Sequence, residues 1–136
     1  MKNEIFSSLV AKAIEAREMS YSPYSGFSVG AALLTKDGNI YTGANIENSG
    51  FTPTVCAERV AFFTALNEGK RDFEAIAIVG AKSDESISEF CPPCGVCRQV
   101  MSEFCSSDFK IILSDGKDMR VYSLDEIMPC RFDLLN

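Results

Sequence analysis

No histidine and no tryptophan occur among the 136 residues, and positive charge is scarce: 13 Lys and Arg stand against 19 Asp and Glu, for a net charge of −6. Without histidine no Ser-His or Cys-His nucleophilic pair can exist, and any zinc site must use sulfur or carboxylate ligands. The deficit of Lys and Arg argues against a partner held through its phosphates, because counterion release needs them clustered. Long apolar runs are missing too. The longest largely apolar stretches, Phe27 to Leu34 and Ala75 to Ala81, fall well short of the roughly 18 residues that cross a bilayer. The opening Met1-Lys2-Asn3-Glu4 leads into a charge-studded amphipathic stretch with no apolar segment ahead of a cleavage site, so no signal peptide is expected. These absences predict a cytoplasmic protein with neither a membrane nor a nucleic-acid partner, for which a neutral small molecule is the better ligand. In that compartment the six cysteines read as thiols serving a metal or catalysis before they read as disulfides.

What is present describes one domain over residues 1–136, since no internal repeat, low-complexity tract or linker interrupts the chain. Ile5, Phe6, Leu9, Val10, Ala13 and Ile14 recur at helical spacing and predict a first helix with one buried stripe. The turn-rich stretch Ser20 to Gly26 stops it. Phe27 to Thr35 and Ile40 to Ala44 form a hairpin about Lys36-Asp37-Gly38-Asn39; Glu58 to Glu68 is helical and closed by Gly69. Phe73 to Ala81 reads as a buried strand, Gly95 to Phe104 as a helix, and Lys110 to Ser114 and Met119 to Tyr122 as two further strands. Ser123-Leu124-Asp125-Glu126 carries a capping-box pattern for a last short helix. Helix, hairpin and then alternating helix and strand predict a layered α/β domain with a mixed five-stranded sheet.

Cys94-Gly95-Val96-Cys97, at the start of a predicted helix, is ambiguous by itself. A thioredoxin-like pair would want a Trp-Cys-Gly-Pro-Cys neighbourhood, which is absent. Cys91 extends the run to Cys91-x-x-Cys94-x-x-Cys97, but an iron–sulfur reading needs a further cysteine where Met101 stands. Cys56-Ala57-Glu58-Arg59 is the second element. With Pro93-Cys94-x-x-Cys97 it reproduces the zinc deaminase signature in its three-cysteine form, with a glutamate that is not a ligand. Three ligands leave the fourth tetrahedral position open, which separates a catalytic zinc from a structural one. The rival reading closes a structural zinc with Cys56, Cys91, Cys94 and Cys97.

Geometry sets a condition on the signature. Residues two apart in a helix point about 200° from each other, so Cys56 and Glu58 can face one metal only if Cys56 sits at the helix entrance; the Thr52-Pro53-Thr54 lead-in predicts that it does. Two helix N-termini would then aim positive dipole ends at the thiolates. Three thiolates and one Zn²⁺ sum to −1, so a compensating donor is expected: Arg59, three residues after Cys56, with Arg98 and Gln99 as further candidates beside Cys97. Plain solvated surface is the alternative for the arginines.

Beyond the cysteines, Tyr24-Ser25-x-Phe27-x-Val29-Gly30-Ala31-Ala32, Gly43-x-Asn45-Ile46-Glu47-Asn48, Cys56-Ala57-Glu58-Arg59-x-Ala61, Pro93-Cys94-Gly95-x-Cys97-Arg98-Gln99 and Met128-Pro129-x-x-Phe132 appear in order. Together they resemble the small homotetrameric cytidine deaminases over most of the chain. The resemblance implies a three-layer α/β/α fold and hydrolysis of cytidine and 2′-deoxycytidine to the uridine nucleosides and ammonia, in pyrimidine salvage. It implies one zinc per subunit on Cys56, Cys94 and Cys97, and Glu58 as the proton shuttle. Asn45, Ile46 and Glu47 are implied at the sugar, with Asn45 and Glu47 on its 3′-hydroxyl; Phe27 is implied on the pyrimidine and the Ala57 backbone at the base edge. It also implies a homotetramer with shared active sites, in which Phe132 reaches a neighbour's ligand. Read singly, Phe27 is a core residue, Asn45 and Glu47 a wet strand face, and Glu58 a dipole partner. The chain departs from the pattern at Pro92, which stiffens the loop before the metal cysteines, at Phe51, which lacks a tyrosine hydroxyl, and at Cys130 and Arg131 inside the C-terminal motif. Cys105 and Cys130 are expected to be small buried apolar residues.

Overall fold

The computed structural model describes residues 2–50 and 53–135; the readings of Phe51 and Thr52 lie outside them. Helix α1 (Lys2–Ala16) runs into a single 3₁₀ turn (Arg17–Met19), and the hairpin strands β1 (Phe27–Thr35) and β2 (Ile40–Ala44) follow. Then come α2 (Ala57–Asn67), β3 (Phe73–Lys82), α3 (Gly95–Phe104), β4 (Lys110–Ser114), β5 (Met119–Ser123) and a one-turn α4 (Leu124–Ile127). The sheet order is β2-β1-β3-β4-β5, with β3 and β4 parallel and every other pair antiparallel. The sheet is therefore mixed and five-stranded, as expected. The hairpin register, Leu34 opposite Ile40 through Gly30 opposite Ala44, carries β2 toward the end of the sheet where β1 begins.

Alternation along β3 explains the layers. Ile76 and Ile78 point to the face covered by Ala61, Phe62 and Ala65 of α2, Met101 of α3 and Leu124 of α4. Ala75, Ala77 and Val79 point to the other face, against Leu9, Val10 and Ala13 of α1. Large side chains fill the side of α2, α3 and α4 and small ones let α1 lie close, giving three layers, α/β/α. The α1 stripe is narrower than its spacing suggests. Leu9, Val10 and Ala13 are buried, but Ile5 and Ile14 are 49% and 40% exposed, because one helix over a strip of alanines covers only its central row. At the other end of the chain the capping box forms as read: the Ser123 N–H donates to Glu126 Oε1 at 2.7 Å and the Glu126 N–H to Ser123 Oγ at 3.4 Å. Among the described residues no helix is long and apolar enough to cross a membrane.

Two helices begin at the same end of the sheet on the same face, and this positions the site. The approach of α2 depends on Gly43 in β2: a β-carbon there would lie 2.4 Å from the Ala57 carbonyl oxygen and 2.6 Å from the Ala61 nitrogen. Only glycine lets the first turn of α2 sit that near the strand.

Candidate metal centre and active site

Cys56 is the residue before α2 and has extended backbone, φ −71° and ψ 153°. It thus meets the condition that lets it share a target with Glu58 on the first turn. Cys94 holds the same place before α3, φ −72° and ψ 168°, and its sulfur accepts the Cys97 N–H at 3.5 Å. The sulfurs of Cys56 and Cys94 are 3.7 Å apart and those of Cys94 and Cys97 3.4 Å, and all three lie within 4.8 Å of one another. Zinc–sulfur bonds of about 2.3 Å in a tetrahedron put sulfurs about 3.8 Å apart, so the spacing and the soft donor set fit one zinc. Cys91 is outside this cluster, and among the described residues no fourth side chain completes it. The cluster is open.

The local charges are unusual. A hydrogen bond from Cys97, with further help from Arg59 and Cys94, brings the Cys56 thiol down to about 5 against the cost of burial, and the same contact with Cys56 pushes Cys97 strongly up. The sulfurs thus share protons until a cation replaces them. Arg59 Nη2 donates to Cys56 Sγ at 3.5 Å and to the Thr54 carbonyl at 3.1 Å, while its buried Nε has no hydrogen-bond partner among the described residues. Its guanidinium is held in the charged form chiefly by Cys56, so Arg59 stands where the negative cluster needs a cation. Glu58 is 4% exposed, and burial lifts its carboxyl to about 7 despite opposing hydrogen bonds. A carboxyl poised near neutrality beside a metal cluster can both take and give a proton.

Arg98 and Gln99 serve another end. Arg98 Nε donates to the Pro93 carbonyl at 2.9 Å and Nη1 to the Ile127 carbonyl at 2.7 Å, which ties the loop before α3 to the end of α4. Arg98 thus supports the backbone beside Cys94 from the end of α4 and is not plain solvated surface. Gln99 Nε2 donates to the Phe132 carbonyl at 3.0 Å and so anchors the C-terminal segment, leaving the Phe132 ring 66% exposed.

The residues read as nucleoside contacts gather around the start of β1. Phe27 is 38% exposed, unlike an ordinary core phenylalanine. Asn45 is buried; its Oδ1 accepts the Val29 N–H at 2.9 Å and the Ser20 hydroxyl at 2.6 Å, and its Nδ2 donates to the Phe27 carbonyl at 2.9 Å. Glu47 is buried as well, and its carboxylate accepts the N–H groups of Tyr24 and Ser25 at 3.0 and 3.1 Å and the Ser25 hydroxyl. That hydroxyl holds the carboxyl below its usual range. Ile46 exchanges both backbone hydrogen bonds with Val55, each at 2.9 Å, and so joins this block to the residue before Cys56. Ala57 is fully buried in the first turn of α2, where backbone N–H groups lack helical partners.

One neighbour of Phe27, Gly80, is not marked in the sequence as part of the site. A cleft of about 360 Å³ is lined by Phe27, Gly80, Phe90, Cys91 and Pro92 among others. A β-carbon on Gly80 would lie 2.8 Å from Cys91 Sγ and 3.0 Å from Phe27 Cε2, so the glycine makes room for both. Its position inside a strand was the available signal, because strand glycines mark close approach. Burial lifts the Cys91 thiol to about 11, in keeping with a thiol outside the cluster. Cys105 is half-buried with its thiol pushed up by burial, but Cys130 is exposed and has φ 55°. The expectation of burial fails for Cys130 because the chain turns outward there after α4.

Residues 4–113 match the family model for the cytidine and deoxycytidylate deaminase zinc-binding region. A cytidine deaminase of Halalkalibacterium halodurans is 49% identical over 125 residues, 91% of each chain. One of Sporosarcina psychrophila is 46% identical over 125 residues, 91% of this chain and 88% of its own. Among solved structures, the cytidine deaminase from Burkholderia pseudomallei matches with a TM-score of 0.84 at 43% identity, over 93% of this chain and 98% of that one.

Proposed function

The chain belongs to the zinc-binding cytidine and deoxycytidylate deaminase family, and from that premise we propose that it hydrolyses cytidine and 2′-deoxycytidine to uridine and deoxyuridine with release of ammonia, as in pyrimidine salvage. The observation that carries this reading is the open three-sulfur cluster at two helix N-termini with the buried carboxyl of Glu58 beside it. Cys56, Cys94 and Cys97 would hold one zinc per subunit, which when bound supplies a Lewis acid that makes water nucleophilic near neutral pH.

Glu58 takes a proton from the water as it adds to C4 and delivers it to N3, then takes the remaining proton of the hydroxyl now on C4 and passes it to the departing amine. The proton balance closes on this one carboxyl. Arg59 offsets the negative charge of the sulfurs. Phe27 packs on the pyrimidine, the Ala57 backbone meets the base edge, and Asn45, Ile46 and Glu47 take the sugar, the carboxylate accepting a hydroxyl. One continuous sheet supports a single domain over residues 1–136.

The finer reading is a cytoplasmic homotetramer with shared sites, taking a free nucleoside and neither nucleic acid nor membrane. Exposed Phe132, Leu134 and Leu135, with relative exposures of 66%, 81% and 81%, support a C-terminal segment that packs on a neighbouring copy. Unpaired cysteines support a reducing compartment. The test is to incubate the protein separately with cytidine, 2′-deoxycytidine, cytosine and CMP, following absorbance and ammonia. Turnover is expected for the two nucleosides; turnover of CMP alone would overturn the choice of substrate.

A further inference from the structure

Glu47 is 8% exposed, and the ion pairs among the described residues, Lys70 with Asp37 and Arg131 with Asp125, do not include it. A buried carboxylate without a cation costs stability unless donors surround it. Here every donor to it among the described residues comes from one turn: the Tyr24 N–H, the Ser25 N–H and the Ser25 hydroxyl. The two N–H groups share Oε1, and the hydroxyl alone holds Oε2. The same hydroxyl oxygen accepts the N–H of Phe27 at 3.1 Å. One exposed side chain therefore links the carboxylate to the backbone that carries the aromatic ring.

We propose that Ser25 is a positioning residue for the nucleoside: by donating to Glu47 Oε2 and accepting from the Phe27 N–H, its hydroxyl fixes the sugar-binding carboxylate and the base-stacking ring in one relative geometry. This rests on the reading of Glu47 and Phe27 as sugar and base contacts. The hydroxyl's own proton goes to Oε2, which leaves the remaining lone pairs of that carboxylate to accept a hydroxyl of the sugar. Ser25's hydrogen bonds go to Glu47 and Phe27, so it acts on binding and before the chemical step. Its removal should weaken binding in ground and transition state alike, which raises KM and spares kcat.

The test compares wild type, Ser25→Ala and Ser25→Thr on cytidine and on 3′-deoxycytidine. Ser25 lies at an exposed position in a turn, so Ser25→Ala is expected to fold. Loss of a charge-assisted hydrogen bond should raise its KM for cytidine about tenfold with kcat within about twofold. Ser25→Thr, which keeps the hydroxyl, should return KM to within about threefold of wild type. The wild-type preference for cytidine over 3′-deoxycytidine in kcat/KM should shrink in Ser25→Ala by the factor lost in KM. Unchanged KM in Ser25→Ala, while wild type still prefers cytidine, overturns the positioning role alone. A fall in kcat with KM unchanged overturns it as well. If wild type does not distinguish the two nucleosides, the sugar-binding reading of Glu47 fails, and the positioning role with it.

Discussion

Replacing Glu58 by Gln is expected to cut cytidine turnover by about 10²- to 10⁴-fold, the range that a positioned proton carrier contributes. Zinc content should stay unchanged. The two effects separate because the carboxyl is not in the sulfur cluster, while its burial and its lifted protonation range suit a group that must accept and release protons. An amide of the same shape fills the same buried space and cannot carry the proton. Kinetics and metal analysis on the same preparation check this; turnover near the wild-type rate would remove Glu58 from the chemistry.

Gly43→Ala should act on the same chemistry from a residue that touches none of it. The added methyl would meet the Ala57 carbonyl oxygen at 2.4 Å and the Ala61 nitrogen at 2.6 Å. Both are backbone atoms of a helix, so neither can yield by changing a rotamer. The first turn of α2 must retreat, and Cys56 and Glu58 move with it. Overpacking of this kind costs about 1–3 kcal/mol, and a displacement near 1 Å at reacting groups costs about 10²-fold in rate. A melting temperature lowered by several degrees, together with kcat reduced at least tenfold in the folded fraction, is the expected result. Wild-type kcat would show that α2 can shift without disturbing the site.

Much of this site was legible in the chain. Cys56, Glu58, Cys94 and Cys97 announce themselves by residue type and spacing, and the helix-entrance condition on Cys56 follows from 3.6 residues per turn. The hairpin, the crossover helices and the final capping box are local patterns, and they form where the patterns lie. What stayed hidden depends on distant partners. Gly43 and Gly80 read as ordinary strand residues until a helix and a loop arrive beside them. Arg98 and Gln99 follow metal ligands in sequence, yet their side chains run to Ile127 and Phe132, residues whose nearness only the packing of α3 on α4 creates. Ile5 lies one turn before Leu9 and Ile14 one turn after Val10 on α1, so they flank the stripe on opposite sides, and its buried width is set by the alanines opposite. Ser25 lies inside a recognised motif, though its partner Glu47 is 22 residues away.

The open cluster is the central claim, and Cys91→Ser tests it most directly, with zinc per chain and ammonia release from cytidine measured on one sample. Three sulfurs lie within 4.8 Å of one another and Cys91 is not among them. The variant is therefore expected to hold one zinc per chain and to turn over cytidine at close to the wild-type rate. Loss of zinc from the variant, with a wild type that binds zinc and releases no ammonia, would instead show a closed four-sulfur structural site and contradict the reading.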